Sequence, residues 1–392
     1  MKTTIQKWLW VSLFSLLLGL TLGGCGGTSS STDSTSDDSS TSDDSSSSSD
    51  DSSSSSDDTS STTTDCTSDT NIEEVVCAAE AFEETLSSSQ QSTLLYDWSD
   101  STAKTTWSNL PTGAVSRNGL RFGDLSTTQL AAAKAVAKAA LSDQGYVDFE
   151  GVLAGDDYLG QSRSGYGSDE YYIAFIGYPS TSGDWMLQIG GHHMAYNITY
   201  LSGTGYPVPA HLGVEPKASF SINSATYAPL KDEGDAMVAM FDSLSSTELS
   251  YAFLDGESYS DVLVGPDNGS GTLPTDYPSG SNRRGMLVSD LTSAQQALVT
   301  AAIKQWVNDY PADVADDLLS TYTSAAAYAD TYIAWAGTES SGVDVDVSGT
   351  YMRIDGPRLW IEIACQSGVV IQGKTHYHTM FRDKTMDYGN SL

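Results

Sequence analysis

The chain has 392 residues, with 51 acidic against 18 basic side chains and a formal charge of −33. That balance excludes nucleic acid as a main partner, because offsetting phosphate needs a basic surface. The length allows a large core, but the apolar residues are not spread evenly along it.

Taken in order, Lys2 and Lys7 flank the start of an apolar run from Trp8 to Leu22, followed by Leu22-Gly23-Gly24-Cys25. A run this short with these flanks reads as a signal peptide over 1–24, not a membrane span. Leu-Gly-Gly-Cys resembles the lipobox of bacterial lipoproteins, and the resemblance implies that Cys25 becomes the lipidated first residue. Several acyl chains anchor stably where one binds reversibly. Gly26 stands where an inner-membrane retention signal would have Asp. The expected location is therefore the outer membrane, periplasmic or surface-exposed, with membrane contact through the lipid alone. After Cys25-Gly26-Gly27, residues 28–65 are Ser, Thr and Asp, with nine aspartates between Asp33 and Asp58. No core can be built from this composition, so the segment reads as a disordered acidic tether. Its random-coil span is on the order of 35 Å.

Residues 66–392 read as the folded part. Cys66 and Cys77 stand at its entrance, an expected disulfide in an oxidising compartment. Cys365, on a strand beside Ile361 and Ile363, reads as a small buried residue. Two segments, about 79–200 and 237–392, repeat one another loosely. Arg117-x-Gly119 is matched by Arg283-x-Gly285. Asp124-Leu125-Ser126-Thr127-Thr128-Gln129 is matched by Asp290-Leu291-Thr292-Ser293-Ala294-Gln295, and each is a capping box opening an Ala-rich helix. Tyr172-Ile173-Ala174 is matched by Tyr332-Ile333-Ala334. Trp185 to Ile189 is matched by Trp360 to Ile363, each preceding a histidine segment. The expected fold is α+β, with two loosely duplicated helix-helix-strand-strand units related by a pseudo-twofold. Residues 201–236, with Pro207, Pro209 and Pro216, form an ordered connection.

Four of the chain's five histidines fall in two places, Gly190–Asn197 and Lys374–Asp383. On a strand His376 and His378 share a face, with Met380 continuing it. Such an i, i+2 pair is a half-site for zinc, copper, iron or manganese. His192 and His193 point to opposite faces of a regular strand, so only one joins a shared site unless the strand bulges. The candidate ligands for one transition metal ion are thus His192, His193, His376 and His378. Glu215, Glu362 or Asp383 would act as base or further ligand, and Arg382 would hold an anionic substrate. Arg117 and Arg283, with Asn197, are candidates for gripping the same small molecule; the alternative pairs the two arginines with Asp124 and Asp290. The competing reading of the histidines is a hydrogen-bonded network inside a polar core, without metal.

Gly-x-Ser-x-Gly, the P-loop, Gly-x-Gly-x-x-Gly, His-Glu-x-x-His and Cys-x-x-Cys are all absent, which disfavours serine hydrolase, nucleotide, flavin, zincin and thioredoxin chemistry. What is present is Arg117-x-Gly119, Gly191-His192-His193-x-x-x-Asn197, Gly213-x-Glu215-Pro216, Gly356-Pro357-x-x-Trp360-Ile361-Glu362 and His376-x-His378-x-x-x-Arg382-Asp383-x-x-x-Asp387-Tyr388-Gly389. This set resembles an exported bacterial family, domain of unknown function thirty-five hundred. The resemblance spans about Phe82 to Leu392 and implies a shared fold and site, but no activity. Lys384 departs from it, standing where the family tends to have Pro. Two functions follow as expectations: a metal-dependent envelope enzyme, hydrolytic or redox, and a non-catalytic lipoprotein that binds metal or solute.

Overall fold

The computed structural model describes residues 66–268, 270 and 276–392. The signal peptide, Cys25 and the tether lie outside the described residues. The Cys66–Cys77 disulfide is formed, with Cα atoms 5.5 Å apart, and ties the chain's entry to helix α1 (Asn71–Glu84). Helix α2 (Thr127–Ala140) opens on Ser126, whose side chain accepts from the Gln129 amide while Gln129 reaches back. Helix α3 (Asp143–Gly160) opens on Ser142. Helices α4 (Lys231–Asp242), α5 (Ser293–Val307) and α6 (Ala312–Tyr322) follow, α5 under a second capping box of Thr292 and Gln295. Both boxes sit where the Ser/Thr-x-x-Gln spacing puts them, because each satisfies two otherwise orphaned backbone donors. Helix α1 packs on α2, and α4 on α5. Among the described residues, no helix is long and apolar enough to cross a membrane.

The helices cover a 12-stranded sheet. Its main strands are β1 (Tyr172–Ile176), β2 (Trp185–Gly190), β3 (Met194–Leu201), β4 (Ala210–Val214), β5 (Tyr332–Ala336), β6 (Tyr351–Asp355), β7 (Leu359–Ser367) and β8 (Thr375–Asp383). They run β1-β2-β3-β4-β8-β7-β6-β5, with every neighbour antiparallel. The only parallel pairing among the described residues is at the rim, apart from one isolated bridge: Leu95–Tyr96 lies beside β1. The fold is α+β, as expected. Each half of the chain supplies four consecutive strands, and the halves meet where β4 pairs with β8, Gly213 opposite His378.

That order corrects one sequence equivalence. Trp185 opens the second strand of its half, whereas Trp360 lies on β7, the third strand of its half counted from the rim. The two histidine segments are therefore not counterparts: one is the β2–β3 turn, and the other is a central strand.

Strand alternation gives the sheet two different faces. Ile173, Leu187, Tyr196, Leu212, Ile361, Tyr377 and Phe381 join the helices in the main apolar core. Gln188, Asn197, His211, Glu362, His376, His378 and Arg382 alternate with them and are buried polar residues. This second face is roofed by the short helix Ser101–Thr105 and by irregular chain, with Ala103 and Trp107 in one apolar cluster with Met186 and Met380, and Leu254 in another with Ala334 and Tyr351. A buried polar row of this kind must find hydrogen-bond partners or ligands.

Candidate metal centre

Residues 191–193 form the β2–β3 turn, so strand alternation does not apply to them. Gly191 permits the turn's close approach to Tyr171, since a Cβ there would lie 2.7 Å from the Tyr171 ring. Arg117 fastens the turn from outside, donating to the Gly191 carbonyl at 2.6 Å and to that of Ser108 at 2.8 Å. The His192 and His193 rings consequently lie on the same side, their centroids 3.7 Å apart. His376 and His378 share a face of β8 as the spacing predicts, with centroids 4.5 Å apart. The two segments meet: His193 is 5.0 Å from His376 and 5.6 Å from His378. His211 of β4 lies 5.0 Å from His378. All five histidines of the chain thus converge, and all are buried.

The partners of these rings determine which nitrogens carry protons. His193 Nδ1 is 2.7 Å from Asp156 Oδ1 on α3, and Tyr171 donates its hydroxyl to Asp156 Oδ2 at 2.8 Å. His378 Nδ1 is 2.8 Å from Asp261 Oδ1, with the Gln366 amide 3.1 Å from the same nitrogen. His211 Nδ1 is 2.9 Å from the Thr379 carbonyl. A carboxylate or carbonyl accepts, so Nδ1 donates to oxygen in all three rings and the lone pair is on Nε2, which leaves the Gln366 amide nitrogen a neighbour of His378 Nδ1 and not a donor to it. The Nε2 atoms of His211 and His378 have no partner, and that of His193 faces His376 Nε2 at 2.8 Å. On the far side of His376, Nδ1 stands 3.7 Å from Glu215 Oε2, and both atoms are unpartnered.

Burial works against protonating the cluster, and so do the rings' mutual repulsions. His193 is lowered to about 3, and His376 and His211 fall far below the ordinary imidazole range. Burial opposes ionisation of Asp156 too, yet the adjoining His193 and His192 hold its carboxyl well below the usual range. At neutral pH His193, His211 and His376 are therefore neutral imidazoles, beside an ionised Asp156. Orphaned, inward lone pairs with outward N–H groups tied to carboxylate or carbonyl are what a metal ion requires of its histidines. His192, His193 and His376 each offer a nitrogen within 4.8 Å of the other two. The fit needs one adjustment. Two nitrogens ~2.0–2.1 Å from a tetrahedral ion are about 3.3 Å apart, so the 2.8 Å pair must open by about half an ångström.

Gly213 decides whether the rings can assemble. A Cβ there would meet His378 Cδ2 at 2.7 Å, Tyr377 O at 2.9 Å and His193 Cδ2 at 3.0 Å. Gly213→Ala is expected to cost about 1–3 kcal/mol by overpacking and to reduce metal uptake in whatever protein folds. Urea denaturation followed by elemental analysis of the folded fraction measures both effects.

The remaining residues singled out from sequence are placed as follows. Glu215 borders His376, with its Oε1 held by the amides of Val370 and Ile371 at 2.7 and 2.6 Å. Glu362 accepts from Leu263 N, Val264 N, Tyr351 OH and Trp360 Nε1 at 2.6–3.0 Å, which makes it an anchor for the roof. Asp383 is occupied by Arg358, Tyr322 and the Thr385 amide. Arg382 donates to the carbonyls of Val264 and Gly265 and to Asp387. The structure gives these three residues architectural partners and does not bring them to the histidines. Asn197 links Gln188 to the Pro209 carbonyl. Arg283 pairs with Asp330 and Asp355, not Asp290. Asp124 pairs with Arg121, not Arg117.

The model for the family described as Protein of unknown function (DUF3500) matches residues 68–390. The chain belongs to this family. No curated protein and no solved structure matches it. The site residues of this DUF3500 chain that the sequence reading missed are Asp156, Tyr171, His211 and Asp261, while Gly213 stood in its motif with Glu215 and Pro216 without a role. His211 had a signal, as the one histidine left over. Asp156 had none, since its role depends on α3 reaching the β2–β3 turn.

Proposed function

We propose that this protein is an outer-membrane lipoprotein whose five-histidine centre takes up one transition metal ion and uses it in hydrolytic or redox chemistry on a small molecule. One observation carries this reading: His193, His211 and His378 each tie Nδ1–H to an oxygen acceptor, leaving Nε2 lone pairs inside a buried site. Imidazole donors without a thiolate suit zinc, copper, iron or manganese. His193 and His376 are the central ligands, His192 and His378 complete the set, and Asp156 and Asp261 are the outer carboxylates. When bound, the ion would supply a Lewis acid or a redox couple. Small molecules would reach it past Asp261, whose side chain is 39% exposed, and past Tyr166, whose half-buried ring lies against His192. Arg117, Arg283 and Arg382 are committed to carbonyls and carboxylates, so these three arginines do not grip an anionic substrate.

The second reading is a non-catalytic metal holder, favoured by the burial of His193 and His211 at 0% exposure. Elemental analysis of protein purified without a histidine tag tests the metal in both readings. About one equivalent of transition metal per chain is expected, and none in His376→Ala/His378→Ala; transition-metal content unchanged by that double substitution would sink the proposal. A hydrolase and oxidase substrate screen with and without chelator then separates enzyme from holder.

A further inference from the structure

A second group of buried titratable side chains lies among the helices, on the sheet face away from His376 and His378. Asp148 comes from α3, Glu233 from the first turn of α4, and Asp309 from just beyond α5. They are 4%, 1% and 2% exposed. Each offers a carboxylate oxygen within 4.8 Å of the other two. Among the described residues no lysine, arginine or histidine forms an ion pair with any of them. Both Glu233 oxygens and Asp309 Oδ1 lack a hydrogen-bond partner. Asp148 has only long contacts, with Leu230 N at 3.5 Å and Gln144 Nε2 at 3.4 Å.

A second observation comes from β3. The Tyr196 hydroxyl, in a side chain 1% exposed, also lacks a partner, and the charges acting on it include Asp309, Asp148 and Glu233. An unpaired carboxylate in a protein interior is among the costliest groups to bury, and it persists only with a proton or a cation. Oxygens ~2.3–2.6 Å from a shared calcium-type ion lie up to about 5 Å apart, which matches the spacing here. The arrangement is also held in advance. Ser142 N donates to the Asp309 carbonyl at 2.9 Å, and a Cβ on Gly145 would lie 2.2 Å from that oxygen. The first turn of α3 is thus pressed against the Asp309 backbone. Access exists as well: a cavity of about 220 Å³ reaches Asp148, bordered by Gly151, Pro229, Lys231 and Asp232.

We propose that Asp148, Glu233 and Asp309, with Tyr196, form a separate site for a hard divalent cation of the calcium type, which clasps α3, α4 and the end of α5. Burial, reinforced by the neighbouring negative charges, pushes all three carboxyls up, Asp148 to about 6. A divalent cation relieves what protons would otherwise have to relieve. The oxygen donors set this site apart from the imidazole centre, so either can fail without the other.

The test uses the full chain, stripped with chelator and titrated with calcium chloride by calorimetry, then melted with and without millimolar calcium. Wild type and His376→Ala/His378→Ala are expected to bind one calcium per chain in a saturable step and to melt higher with it. Glu233→Gln/Asp309→Asn should lose that step and the shift, while melting no lower than calcium-free wild type, because its buried charges are gone. If the double variant does not fold, Asp148→Asn replaces it, with affinity expected to fall at least tenfold. Equal calcium heats and equal shifts in wild type and acid-site variants, as the Asp-rich 25–65 segment alone would give, overturn the proposal. So does the absence of any saturable step in wild type.

Discussion

Asp156→Asn is expected to weaken metal binding about 10- to 100-fold, the usual loss when a carboxylate behind a ligating histidine is removed. The cause is the tautomer. Asp156 accepts from His193 Nδ1 at 2.7 Å and so leaves the lone pair on Nε2. An asparagine that keeps its oxygen on the Tyr171 hydroxyl, now 2.8 Å from Asp156 Oδ2, turns its NH2 toward His193. The ring then protonates on Nε2, the atom that should bind the ion. Competition against a chelating dye measures the affinity, and a melting curve of metal-free protein controls for folding. An affinity unchanged by Asp156→Asn would mean that His193 is not a ligand.

Glu362→Ala should have the largest effect on stability, on the order of 4 kcal/mol. The carboxylate collects two backbone amides, a phenol and an indole N–H at full burial, and deletion leaves all four donors unsatisfied, each at about 1–3 kcal/mol before relaxation. Burial raises the Glu362 carboxyl, and the four donors pull it back. Urea denaturation reads the loss. Folded Glu362→Ala protein should keep its metal, since no histidine contacts Glu362; metal loss at full stability would return this residue to the site.

The two carboxylates show why some residues were legible in the sequence and others were not. His376-x-His378 was readable because β8 is regular and alternation needs only the spacing of two. His192-His193 was not, because a turn suspends alternation and brings both rings to one side. Glu362 and Asp383 were misplaced for a different reason. A buried acid in a strand looks the same in sequence whether it faces a ligand or an array of backbone amides, and the donors to Glu362 come from 263–264, nearly a hundred positions away. The helix starts and the strands around Tyr172 and Tyr332 were legible because capping boxes and apolar runs are local. Asp156, Asp261 and the acidic group on the helix side depend on long-range packing, and no local pattern announces them.

The pairing of β4 with β8 has a consequence for how the molecule is completed. The strand carrying His376 and His378 is the last in sequence among the described residues, yet it occupies the middle of the sheet. Until it inserts, the first four strands have an open edge, and the turn bearing His192 and His193 has no imidazoles to meet. Such distant pairings form late, because their loops close at an entropic cost before contacts return it. The histidine centre therefore reports long-range closure: until β8 docks on β4, the five rings have no common site.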